Sequence, residues 1–156
     1  MPEFAQAIDF PTASDDLAAF PLKEWMGMQF TALDGLAELP WGALEDRLGF
    51  LNVEAYTHDP ARDRDHTIQA NWMLYVDNYL ERSHIPYVHT ELNQALDYRA
   101  YTTETIDVGV LQIGKASERD ANIALPAAHP DAGEDIAAYY LSLLPNYSLH
   151  TLPTDL

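Results

Sequence analysis

At 156 residues with 47% apolar content, the chain is long enough for one domain with a real core and too short for two. It contains no cysteine, which excludes disulfides, thiolate nucleophiles, tetrathiolate zinc and an iron–sulfur cluster held by this chain itself, leaving His and carboxylate as its metal-ligating chemistry. Its 25 acidic residues against 8 basic ones give a net charge of −17, which repels nucleic-acid phosphates and anionic membrane surfaces.

Residues 1–20, rich in Ala, Asp and Pro, read as an irregular lead-in, and the first element follows Pro21. Over residues 22–33 the apolar Met26, Met28, Phe30 and Ala32 alternate, with Trp25 and Gln29 on the other side; that period predicts one strand, closed by Asp34-Gly35. Residues 41–50 carry Leu44 and Leu48 four apart after Pro40, the mark of a short helix. Residues 51–56 and 64–69 read as short strands around the turn-prone His58-Asp59-Pro60. The clearest helix is residues 71–82, where Trp72, Tyr75, Val76, Tyr79 and Leu80 recur at spacings of three and four, Asn71 is suited to the cap and Pro86 to the stop. Trp72, Tyr75 and Tyr79 then read as core packing. A second short helix is expected over 90–96. Residues 101–113 and 136–151, the latter turning at Pro145-Asn146, read as antiparallel strands or hairpins, separated by a polar loop over 115–134. The fold class is α+β, helices laid against an antiparallel sheet.

No apolar run reaches the ~18 residues of a membrane span, and Met1-Pro2-Glu3-Phe4 lacks the basic start of a signal peptide. A cytoplasmic protein is therefore expected. The acids are scattered and form no block, which favours a surface kept hydrated in concentrated salt over an interaction tail for a cationic partner.

Chemistry concentrates between Asn71 and His89. Asp77, Glu81 and His84 lie at i, i+4 and i+7, within roughly 60° of one another on a helix. A break at Pro86 lets His89 swing round, so that two imidazoles can converge on one divalent ion. The alternative from the same residues is an exposed helix end, with His84 near the negative pole of the dipole and Glu81 paired with Arg82 or Arg99. His58, His66 and His129 sit in polar loops and read as surface residues, whereas His150 alternates within a strand with a side that can face inward.

The run Asn-Trp-x-x-x-x-Asp-Asn-Tyr-Leu-Glu-x-x-His-x-Pro-x-x-His, from Asn71 to His89, closely resembles the iron-binding helix of the α subunits of Rieske non-haem iron oxygenases, the ring-hydroxylating dioxygenases and their monooxygenase relatives. Residues 22–33, with Glu24-Trp25-Met26-Gly27, resemble the strand that follows the Rieske domain in that family, and residues 139–149, with Leu144-Pro145-Asn146, a strand of its catalytic sheet.

The resemblance implies that His84 and His89 are the imidazole ligands of a mononuclear iron(II). Glu81 matches the carboxylate that links the iron site to a Rieske-ligating His of a neighbouring subunit, and Asn78 and Asp77 match polar residues close behind the iron. It also implies a helix-grip (START/Bet v 1-like) catalytic domain, here in part, with residues 21–156 as its N-terminal portion. The activity implied is O2 activation for hydroxylation or dihydroxylation of an aromatic or other small organic substrate. Electrons would come from NAD(P)H through a ferredoxin or flavin reductase and a [2Fe–2S] Rieske cluster, in a homotrimer. The rival reading is a non-catalytic START-like ligand-binding module with a vestigial metal site. Two departures stand out: there is no Cys for the cluster, and the third iron ligand, an acid, is expected beyond residue 156. Asp155 does not match that ligand's motif, and Glu91 and Asp97 read as capping or surface acids. A chain without the closing strands is expected to leave Tyr139, Leu141 and Leu143 open to solvent or to other chains, and to show no turnover by itself.

Overall fold

The structure is a computed structural model that describes residues 6–33, 41–117 and 122–151. Asp34-Gly35 and Asp155 lie outside the described residues. The chain divides into two compact units, residues 1–38 and 39–156.

In the first unit, the 3-10 turn Ala13–Asp15 is closed by Asp15, whose carboxylate accepts from the Thr12 backbone N–H at 2.8 Å. The stretch 22–33 corrects the single-strand expectation. It is a hairpin of β1 (Leu22–Trp25) and β2 (Met28–Thr31), with Trp25 paired to Met28. The two-residue turn puts both Met26 (φ 52°) and Gly27 (φ 70°) in the left-handed region, as a turn that follows the twist of paired strands requires.

The second unit begins with α1 (Trp41–Leu48), whose Leu44 and Leu48 are fully buried; each contributes about 1.5–3 kcal/mol by leaving water. Residues 51–56 and 64–69 are not strands: Val53–Ala55 and Pro60–Arg62 form 3-10 turns, and 64–69 have no regular structure. Three helices follow, α2 (Trp72–Leu80), α3 (Ile85–Val88) and α4 (Thr90–Ala95). The chain then runs through β3 (Leu96–Ile106), β4 (Gly109–Ala116), β5 (Ile136–Leu143) and β6 (Tyr147–Thr151), an antiparallel sheet in the order β3-β4-β5-β6. The strand reading of the C-terminal half thus holds, and the α+β class with it.

Every residue of β5 is buried, so Tyr139, Leu141 and Leu143 are covered, contrary to expectation. Neighbouring side chains on a strand point to opposite faces. Tyr139 accordingly packs against Phe50 and His129, ring centroids at 6.1 and 5.9 Å, and Tyr140 against Tyr79 and Tyr101, at 6.5 and 5.8 Å. On the Tyr139 side, Asp131 accepts from the Tyr139 hydroxyl at 2.6 Å and pairs with Arg47 at 3.2 Å. His129 belongs to this network and not to the surface. Its Nε2–H donates to the Arg47 carbonyl at 2.9 Å and its Nδ1 accepts from the Asp131 N–H at 3.0 Å, so both ring nitrogens of a buried imidazole are satisfied. His58 and His66 are exposed, as the sequence suggests.

Candidate metal centre

Asn71 starts α2 as expected, its side-chain oxygen accepting from the Met73 N–H at 2.9 Å. The helix ends earlier than its periodicity implies. Glu81 turns extended (φ −81°, ψ 142°) while its N–H still closes on the Asp77 carbonyl at 2.9 Å. Glu81 and His84 therefore lie beyond the helix, and the shared helix face of Asp77, Glu81 and His84 does not exist. Nor does Pro86 stop anything. It lies in the first turn of α3, where a missing N–H removes no helical bond and the fixed φ favours the start.

His84 precedes α3 and His89 follows it, so one helical turn, anchored by the buried Ile85, separates the two imidazoles. Their ring centroids are 5.1 Å apart at an interplanar angle of 72°. His84 Nδ1 hydrogen-bonds the Glu81 carboxylate, which also accepts from the Ser83 N–H at 2.6 Å. The Glu81 side chain is 36% exposed. Partial burial pushes its carboxyl up, but the bonds from His84 and Ser83 together outweigh this and hold it below the usual carboxylate value. Glu81 pairs with neither Arg82 nor Arg99: Arg82 donates to the Tyr101 carbonyl at 2.8 Å, and Arg99 lies against Tyr98.

Three donor side chains fix the end of α2 from which this loop departs. The Tyr79 hydroxyl reaches the carbonyls of Leu141 (3.2 Å) and Leu149 (3.3 Å), a cross-strand pair of β5 and β6. The buried Gln112 donates to the Leu80 carbonyl, and Arg82 to Tyr101. The end of the helix that supplies Asn78 and leads to Glu81 and His84 is thereby tied to all four strands from β3 to β6.

His84 and His89 open onto a cavity of about 260 Å³. Asn78, Glu81 and Arg82 line its polar side, and Tyr79, Tyr101, Tyr140 and His150 its aromatic wall. Asp77 is exposed and is not part of that lining. Burial raises the phenols of Tyr79, Tyr101 and Tyr140, the last to about 12, and holds the His150 imidazole below its ordinary value. At neutral pH the phenols thus keep their protons. Trp72 and Tyr75 correct the core-packing expectation, being 53% and 57% exposed; only Tyr79 of that trio packs inward. Sequence reading missed Tyr101, Gln112 and Tyr140, whose only advance signal is their place in strand-like runs.

A divalent ion with nitrogen ligands suits this pair of imidazoles, one of them oriented by a carboxylate on its other nitrogen, as metal-ligating His commonly is. Among the described residues no group of three or more His, Asp or Glu side chains converges on one point, so the donor set here is two imidazoles.

Residues 50–156 match the family described as ring hydroxylating alpha subunit, catalytic domain. The chain belongs to this family of Rieske-type oxygenase α subunits. It is 30% identical over 111 residues to the chloroplastic choline monooxygenase of Beta vulgaris, covering 66% of this chain and 23% of that protein. The choline monooxygenase of Amaranthus tricolor is 25% identical over 128 residues, covering 81% of this chain and 24% of its own length. That of Arabidopsis thaliana is 28% identical over 107 residues, covering 67% and 21%. The chain therefore spans less than a quarter of the length of these relatives. No solved structure matches it.

Proposed function

We propose that this chain carries the iron-binding segment of an oxygenase that hydroxylates a small organic substrate, with His84 and His89 as two ligands of a mononuclear iron(II). The observation that carries the reading is the His84–His89 pair, 5.1 Å between ring centroids, with Glu81 on His84 Nδ1, at the edge of an aromatic cavity. The chemistry such a centre supplies when loaded is reductive activation of O2, for which two imidazoles leave coordination positions open beside the substrate. Within this chain, Glu81 fixes the His84 tautomer, leaving Nε2 as the ligating nitrogen, and its exposed edge suits the family's role of meeting a cluster ligand on a neighbouring subunit of a homotrimer. The Cys ligands of a [2Fe–2S] Rieske cluster must come from outside these 156 residues, so this chain alone turns nothing over. A ferredoxin or flavin reductase would supply the electrons.

The cavity, at about 260 Å³, lies below the ~300–1,000 Å³ typical of drug-sized ligands. That size favours a compact substrate, and the names of the relatives make choline the first to test, by monooxygenation. Anaerobic titration with Fe(II), or with Co(II) as a spectroscopic substitute, tests the centre. We expect one metal per chain, lost in both His84→Ala and His89→Ala and retained in His58→Ala. Binding unchanged in the first two variants removes the assignment.

A further inference from the structure

The cavity wall holds a hydroxyl pair that nothing in the metal reading uses. Tyr101 and Tyr140 are each 7% exposed, their rings lie 5.8 Å apart, and both line the cavity. The Tyr140 hydroxyl is fully enclosed and makes no hydrogen bond of ordinary geometry among the described residues; the Tyr101 hydroxyl is close enough to interact with it. A phenol carries one O–H donor, and that of Tyr140 is unspent. Leaving it so in a buried site is unfavourable. Around this pair stand the π faces and edges of Tyr79 and of His150, whose centroid is 4.9 Å from Tyr79 and 5.4 Å from Tyr140.

Ring walls of this kind attract quaternary ammonium groups through the aromatic quadrupole, without a buried carboxylate. The net charge of −17 raises the local concentration of cations further. Arg82, the one Arg or Lys among the described lining residues, is engaged by the Tyr101 carbonyl and adjoins Glu81.

We propose that Tyr140 is the specificity-determining residue of this cavity: the Tyr79, Tyr101 and Tyr140 rings receive an organic cation, and the Tyr140 hydroxyl donates its unspent hydrogen to an oxygen on that ligand. The proposal rests on the substrate side of the reading above and not on the metal. It assigns the recognition of charge to rings and of oxygen to one hydroxyl, which makes the two separable.

Isothermal titration of the metal-free chain with three ligands tests it: choline, its neutral isostere 3,3-dimethylbutan-1-ol, and ethyltrimethylammonium, which lacks the hydroxyl. The wild type should bind choline at least about tenfold tighter than either of the others. Tyr140→Phe should erase the preference over ethyltrimethylammonium while keeping that over the neutral isostere, with an unchanged circular dichroism spectrum. Tyr140→Leu should weaken the preference over the isostere as well. A Tyr140→Phe protein that still favours choline over ethyltrimethylammonium, or a wild type that binds the isostere as well as choline or binds none of the three, overturns the proposal. Co(II) titration of the same samples keeps the failures apart. Metal bound without cation discrimination sinks this inference alone, and cation discrimination without metal binding sinks the iron assignment alone.

Discussion

Tyr79 rivets the end of α2, from which the His84 loop departs, to the sheet, and its removal can be graded. Its hydroxyl makes one donor bond shared between the carbonyls of Leu141 and Leu149, at 3.2 and 3.3 Å. Tyr79→Phe deletes that bond and keeps the ring, so it should cost about 1 kcal/mol, the net worth of a neutral hydrogen bond. For a unit of this size that lowers Tm by about 3–6 °C. Tyr79→Ala also removes the ring that packs edge-on against Tyr140 and His150; the loss should reach about 3 kcal/mol, the lower end for deleting an aromatic side chain because Tyr79 is only half-buried. The Gln112 and Arg82 tethers remain in Tyr79→Phe, so Co(II) affinity should stay within about twofold, whereas Tyr79→Ala frees the end of α2 and should weaken it about tenfold, or about 1.4 kcal/mol. Differential scanning calorimetry and metal titration on the three proteins read both quantities. Should Tyr79→Ala melt within about 1 °C of the wild type, the rivet does not exist.

Gly109 faces the neighbouring strand so closely that a Cβ there would lie 2.0 Å from the Ser142 carbonyl oxygen. Gly109→Ala should therefore destabilise by about 3 kcal/mol or more, since backbone and not a flexible side chain must yield; an unchanged urea midpoint would contradict the packing described. Burial holds the folded His150 imidazole below its ordinary value, so between that folded value and about pH 6.5 the unfolded chain binds the extra proton. Its contribution is complete above about pH 6.5 and lost as pH falls through the folded value. The fall in urea midpoint from pH 7.5 to 5.5 should be smaller in His150→Asn than in the wild type; equal falls would show that His150 does not carry it.

Local chemistry made much of this legible. Leu44 and Leu48 four apart, the Asn71 cap, and the Val-, Ile- and Thr-rich runs after residue 96 each encode their element within a few residues. What escaped was non-local or rare. Met26 interrupts an alternating run without disturbing its period, and a methionine at positive φ is seldom the residue chosen for a hairpin turn. Glu81 leaves the helix although Ile85 and Val88 continue the apolar spacing, so periodicity alone overran the true end. Residues 51–56 and 64–69 have strand-like composition, but a strand exists only where a partner pairs with it. His84 and His89 were singled out from the sequence. The Tyr101–Tyr140 wall could not be, because it depends on the β3, β4 and β5 register.

Strand β5 is a partition. Tyr139 looks toward Asp131, His129 and Phe50, and the very next residue looks toward Tyr101 and His150. Two programmes of change can therefore proceed on the same eight-residue strand with little interference, since substitutions without shared partners tend to add. An engineer seeking heat tolerance would work behind the partition, around Arg47 and Phe50. One seeking a new substrate would work in front of it. Insertion of one residue into β5 is the change neither could survive, because it would exchange the two sides at a stroke.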